Sequence, residues 1–311
     1  MALTVAFAAA AIATGSSGAQ QKPPPSTTPP AGLPDLVMQP ITDIKVSPWY
    51  TRQGKKVKRR WGVRFTSIVA NKGPGHFVIH AHRAKTGQPC DPNDPGISGP
   101  HACEKGNMTG DQLIVNADGT TAQTIKKVAV VYFDQFHFHW HLRGANRYEL
   151  RTFKGKLISH DKKTGFCFGD RISLTDPVSP EYPGLGNGLA TCLYGSTTDP
   201  SQDGRRALEL TEGISVGYED DYQSLHNGAP LEGQELELTR LKAGRYQLIN
   251  RTNAAGRYHE VTKANDASSV LFALSWPKHD AGHKKPPKIK ILRRCTGKAR
   301  CLPKAKIKPK G

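Results

Sequence analysis

No window of about 12 or more residues in this chain keeps a helical hydrophobic period. The chain runs instead through short apolar stretches cut by Gly, Pro and Asn turns. Asp43-Ile-Lys-Val46 is one such stretch, and Lys58 to Ala70 is another, with Trp61, Val63, Phe65 and Ile68 as its apolar members. Phe77-Val-Ile-His-Ala81 follows the turn Asn71-Lys-Gly-Pro-Gly75, and Gln112-Leu-Ile-Val115 precedes the turn Asn116-Ala-Asp-Gly119. Further runs fall at 127–132, 147–153, 156–159, 235–241, 245–250 and 269–276. Strand-length runs spaced about ten residues apart predict an all-β fold, a β-sandwich-like domain with long irregular loops and few or no helices. The 31 glycines and 23 prolines supply the turns this requires. The stretch from Pro180 to Asn227 reads as long and irregular, held down through Cys192.

The two ends read differently from the body. Residues 1–19 open on a short apolar run of small residues and end near Gly15-Ser-Ser-Gly-Ala-Gln20, the pattern of a secretory signal peptide. The apolar run is too short to span a bilayer comfortably. Residues 20–32, with Pro23-Pro-Pro-Ser-Thr-Thr-Pro-Pro30, read as an extended linker. The folded domain is expected over 33–277, and 278–311 as a basic, mostly disordered tail. That tail holds 13 of the 44 basic residues and one acid, so most of the net charge of +18 belongs to it. Such a tail suits adhesion to an anionic cell-surface polymer and carries no sign of specific nucleic-acid recognition. Six cysteines in an exported chain favour disulfides. Short loop closures suggest Cys90/Cys103, Cys167/Cys192 and Cys295/Cys301, although many pairings are open. There is no Cys-x-x-Cys, which argues against a zinc ribbon or a thioredoxin-type site. The location expected is secreted or extracellular, with cell-wall association as one form of it.

The strongest chemical signal is Phe136-His-Phe-His-Trp-His-Leu142. On a strand, alternate residues share a face, so His137, His139 and His141 project together and the large apolar residues between them pack on the other side. Imidazole nitrogens ligate copper, zinc, nickel and iron. The outer two Cα atoms of a flat strand would lie roughly 13 Å apart, so three ligands on one ion require a bend or bulge. A second pair, His80 and His82, has the same spacing and reads as the outer face of an ordinary strand.

The triplet sits in an ordered series. Asp35-Leu-Val-Met-Gln-Pro40 and Arg64-Phe-Thr-Ser-Ile-Val-Ala-Asn-Lys-Gly73 precede it. Arg147-Tyr-Glu-Leu150, Lys163-Thr-Gly-Phe-Cys-Phe-Gly-Asp170, Gly213-Ile-Ser-Val-Gly217, Tyr218-Glu-Asp-Asp-Tyr222 and Lys242-Ala-Gly-Arg-Tyr246 follow. In this order, from about Leu33 to Trp276, the chain resembles the catalytic domain of lysyl oxidases, in a bacterial-looking form. The resemblance implies a secreted copper-dependent amine oxidase. It would deaminate primary amines, peptidyl lysine or small amines, to aldehydes with O2, releasing hydrogen peroxide and ammonia. It implies copper on His137, His139 and His141, and a lysine tyrosylquinone made from Lys163 and Tyr222. A general base is also implied: Asp170 matches a family acid after the cysteine, while Asp220 and Asp221 are further candidates. The chain departs from the animal enzymes in having fewer cysteines around the site, and in Arg147 where they carry a histidine. The alternative is a non-catalytic metal-binding or cell-wall-associated β-sandwich that uses its basic tail for adhesion.

Overall fold

A computed structural model of the chain describes residues 32–53, 56–83, 106–116, 119–134, 139–161, 165–183, 185, 192, 204, 207–224, 234–280 and 282–302. Within these residues the fold is all-β and contains no α-helix. The strands are β1 (Leu36–Met38), β2 (Thr42–Gln53), β3 (Lys56–Asn71), β4 (Phe77–His82), β5 (Met108–Val115), β6 (Thr121–Asp134), β7 (His139–Arg143) and β8 (Asn146–Thr152). They continue with β9 (Leu157–His160), β10 (Gly165–Phe166), β11 (Ile172–Ser173), β12 (Glu209–Ile214), β13 (Tyr218–Tyr222) and β14 (Leu236–Glu237). The last three are β15 (Gly244–Thr252), β16 (Ala267–Ser275) and β17 (Lys288–Cys295).

They form three antiparallel sheets. In the first, β3 is the hub: β1, β2, β13 and β14 all pair with it, and β11 extends the sheet from β13. The second runs β10-β7-β6-β5-β4-β12 and the third β17-β16-β15-β8-β9. One core is shared by all three. Phe65 and Val69 come to it from the first sheet, Phe77, Phe133, Trp140 and Leu142 from the second, and Tyr148, Leu248, Val270 and Phe272 from the third. Burial of such side chains is the main driving force that holds the sheets together.

The turn at Asn71 joins the first two sheets, and its side chain explains why. Asn71 Nδ2 donates to the carbonyls of Gly75 and Ile214, both at 2.9 Å, while Oδ1 accepts from Gly73 N and Asp35 N. One fully buried amide therefore satisfies four backbone groups from three segments. A bulge in β6 is held in a similar way. Lys127 takes a positive φ of 57°, and its N–H donates to Asp111 Oδ1 at 2.8 Å.

Two expectations are corrected. The segment from 278 onward is not a disordered tail through its length: β17 pairs with β16 from Ser275↔Lys288 to Ser269↔Cys295. Ile289 and Ile291 pack on the shared core, and Trp276 stacks on His283 with ring centres 3.7 Å apart. The domain thus extends past Trp276 to Leu302; residues 303–311 lie outside the described residues. The stretch 180–227 is also not irregular throughout, since β12 and β13 fall inside it.

Two of the three expected disulfides are present. Cys167–Cys192 has a Cα–Cα separation of 5.9 Å and Cys295–Cys301 one of 5.4 Å. Cys90 and Cys103 lie outside the described residues, as do the leader and most of the linker.

Candidate metal and tyrosine site

β7 is an inner strand, with β6 on one side and β10 on the other. Its residues alternate as the sequence predicts. Trp140 and Leu142 enter the core, Trp140 packing edge-on against Phe133 at 5.6 Å. His139 and His141 take the other face. His141 is only 2% exposed. Tyr132 and Asp134 on β6 are the register partners of His141 and His139. Gly165 on β10 is packed so tightly that a Cβ there would strike the Tyr132 hydroxyl and His141 Cβ, so a larger residue would push the histidine aside.

The two imidazoles converge. Their Nε2 atoms are 2.9 Å apart and their ring centres 4.6 Å apart, with the planes at 78°. With metal–nitrogen bonds of about 2.0–2.1 Å, two ligands at right angles place their nitrogens about 2.9 Å apart and their ring centres about 4.5 Å apart. The separation is that of a hydrogen bond between the two rings, and two imidazoles so placed are also compatible with a shared ion. Asp134 Oδ2 lies 3.0 Å from His141 Nδ1. A carboxylate there favours the proton on Nδ1, which leaves the Nε2 lone pair pointing at His139. His137 is among residues 135–138, which connect β6 to β7 and lie outside the described residues. Among the described residues, no three His, Cys, Asp or Glu side chains already surround one point.

Cys167, next to Phe166 on β10, ties this pair to Tyr222. The Tyr222 hydroxyl donates to the Cys167 carbonyl at 2.6 Å, and Cys167 is disulfide-bonded to Cys192. The Cys192 carbonyl in turn accepts from Trp140 N at 2.9 Å, between the two histidines. A single disulfide thus bridges the tyrosine's hydrogen-bond partner and the histidine strand. Tyr222 is 6% exposed, with its ring 4.8 Å from Phe166 and 6.5 Å from Phe168.

Asp220, also on β13, reaches the same hydroxyl at 2.9 Å and forms an ion pair with Arg171. Burial pushes the Asp220 carboxyl up to about 7, against the opposing pull of the Arg171 guanidinium. Burial, then the nearby Asp220 charge, raises the Tyr222 phenol well above its ordinary range. Glu212 is fully buried behind β7 and β10, accepting from Phe168 N at 3.4 Å, and burial raises its carboxyl strongly.

The three acids nominated from sequence therefore separate. Asp220 touches Tyr222. Asp170 turns to the β12–β13 connection, where Oδ1 accepts from Ser215 N at 2.7 Å, and burial raises it to about 6. Asp221 points outward to Gln223, whose Nε2 donates to it at 2.9 Å. Lys163 lies outside the described residues, two positions before Gly165. Asp134, Arg171 and Glu212 were not singled out from sequence. They come from other strands or from the far side of a turn, and nothing local to the triplet or to Tyr222 marks them.

Compared with known proteins, the chain matches no family model and no curated protein.

Proposed function

We propose that the chain is a secreted copper-dependent amine oxidase of the lysyl oxidase type, acting on primary amines such as lysine side chains. What supports this best is the joining of two features: the converging His139 and His141 nitrogens and a buried, acid-partnered Tyr222, linked through Cys167–Cys192. His139, His141 and, by sequence, His137 would hold the copper. Copper and a quinone made from Tyr222 and Lys163 would supply the oxidation of the amine, with O2 as the final acceptor.

The chain's own groups then have defined work. Asp134 keeps the proton of His141 on Nδ1, so that Nε2 stays available. Asp220, poised near 7 beside the Tyr222 oxygen, is the acid placed to take or return a proton there, and Arg171 orients it. Asp170 becomes a positioning residue for the β12–β13 turn rather than the base. The part given to Lys163, two positions before Gly165 in the sequence, rests on the sequence resemblance. The Phe166 and Phe168 rings shield Tyr222 from water.

Copper loading of the aerated chain should give a visible quinone band, reaction with phenylhydrazine, and a Lys163–Tyr222 crosslink by peptide mass spectrometry. A copper-bound chain silent in all three, with an unmodified Tyr222, would overturn the reading.

A second reading, a non-catalytic protein that adheres to an anionic surface polymer, is favoured by one observation. The exposed positions of β17 and its flanks carry Lys284, Lys285, Lys288, Lys290 and Arg294. That reading predicts salt-sensitive retention on an anionic polymer, abolished by replacing Lys288, Lys290 and Arg294 with glutamate.

A further inference from the structure

The second histidine pair lies on the outer face of β4, as expected, and its neighbours on that face carry a further reading. β4 lies three strands from β7 in the same sheet. His82 pairs across to Glu209 on β12 and to Thr109 on β5; Thr109 pairs to Val130 on β6, two residues from Tyr132, the partner of His141. Cross-strand partners and alternate residues share a face. Both histidine pairs therefore stand on one face of one sheet, about 14 Å apart by strand spacing. His80 Nε2 is 3.3 Å from Glu209 Oε2, and the His80 and His82 ring centres are 6.1 Å apart at 34°.

We propose that His80, His82 and Glu209 form a second site for a divalent transition ion, exposed to solvent. Two imidazoles and one carboxylate suit zinc, copper or nickel and leave positions open for water. Two rings ligating one ion stand at most about 6.4 Å apart, and about 5.2 Å apart when tetrahedral. The His80–His82 separation lies inside that limit; the three side chains do not surround one point as they stand, so closing on an ion takes rotation of the side chains. The side chains have the freedom for it: those of His80, His82 and Glu209 are 37%, 49% and 71% exposed. Asp111 borders the set, with its Oδ2 4.0 Å from His82 Nδ1, and is held in place by Lys126 Nζ and Lys127 N at 2.9 and 2.8 Å. The site differs in kind from the buried pair on β7: it is open and exchangeable, and it fits capture of an ion from solution. It does not depend on the amine-oxidase reading.

Equilibrium dialysis of the metal-stripped full chain against zinc tests it. Wild type should bind one equivalent more than the His80→Asn/His82→Asn variant, while His139→Asn/His141→Asn should keep that equivalent. Zinc should also protect His80 and His82 of the wild-type chain from diethyl pyrocarbonate, read by peptide mass spectrometry. Equal zinc stoichiometry in wild type and His80→Asn/His82→Asn, or modification of both histidines at the same rate with and without zinc, overturns the proposal. Failure of the quinone experiment with this equivalent retained would strike only the amine-oxidase reading.

Discussion

At the scale of the residue, the candidate site depends on which nitrogen carries a proton and which oxygen is held. Asp134→Asn removes the charge beside His141 Nδ1 while keeping its size. Metal affinity at the β7 pair should fall by about 10–100-fold, measured by competition with a chelator. Tyr222→Phe deletes a hydroxyl that serves both the Cys167 carbonyl and Asp220. It should cost about 1–3 kcal/mol in denaturant unfolding and abolish the phenylhydrazine reaction. The histidines could be nominated from sequence because alternation on a strand is a local pattern. Asp134 could not, because its closeness to His141 exists only once β6 and β7 pair. Asp170 and Asp220 look alike in the sequence, and only the fold turns one toward Ser215 and the other toward Tyr222.

At the scale of the element, the Cys167–Cys192 clip and the final strand carry the predictions. Cys192→Ser opens a loop of 25 residues. By chain entropy that should cost about 3 kcal/mol in unfolding free energy. It should also loosen metal binding on β7, because the Cys192 carbonyl anchors Trp140 N. Truncation after Pro277 leaves β16 as an open edge of the third sheet. That variant should aggregate where the full chain stays monodisperse in light scattering. The inner strands were legible because their apolar positions alternate plainly. β17 was not: it is an edge strand, with Ile289 and Ile291 on the core side and Lys288 and Lys290 facing solvent. In Lys-Ile-Lys-Ile-Leu-Arg-Arg the charge obscures the period. β13 was missed for a different reason, since Tyr218-Glu-Asp-Asp-Tyr222 reads as a loop until Tyr218 and Tyr222 are seen buried on one face.

At the scale of the whole molecule, several carboxyls are carried into the interior. Burial raises Asp170 to about 6 and Asp220 to about 7, and burial together with Glu260 raises Asp266 to about 8. Each binds its proton more tightly folded than unfolded. Their contribution to stability is therefore complete below the unfolded value of about 4, and is lost as pH rises through about 6, 7 and 8. The denaturation midpoint of the metal-stripped chain should be lower at pH 8 than at pH 5, and Asp220→Asn should flatten that slope. All-β architecture was legible at this scale. The arrangement in three sheets was not, because β8 meets β15, and β13 meets β3, across long sequence separations that no local pattern encodes.

The place of β17 in the chain also sets an order of events. The third sheet takes its edge from residues 288–295, which follow every other described strand in the chain. Until they emerge, β16 has no partner on that side, and Ile289, Ile291 and the Trp276–His283 stack are missing from the core. Synthesis of the body is therefore uncoupled from completion of the fold. β16 thus keeps its backbone donors and acceptors unpaired on that side until residues 288–295 have been made.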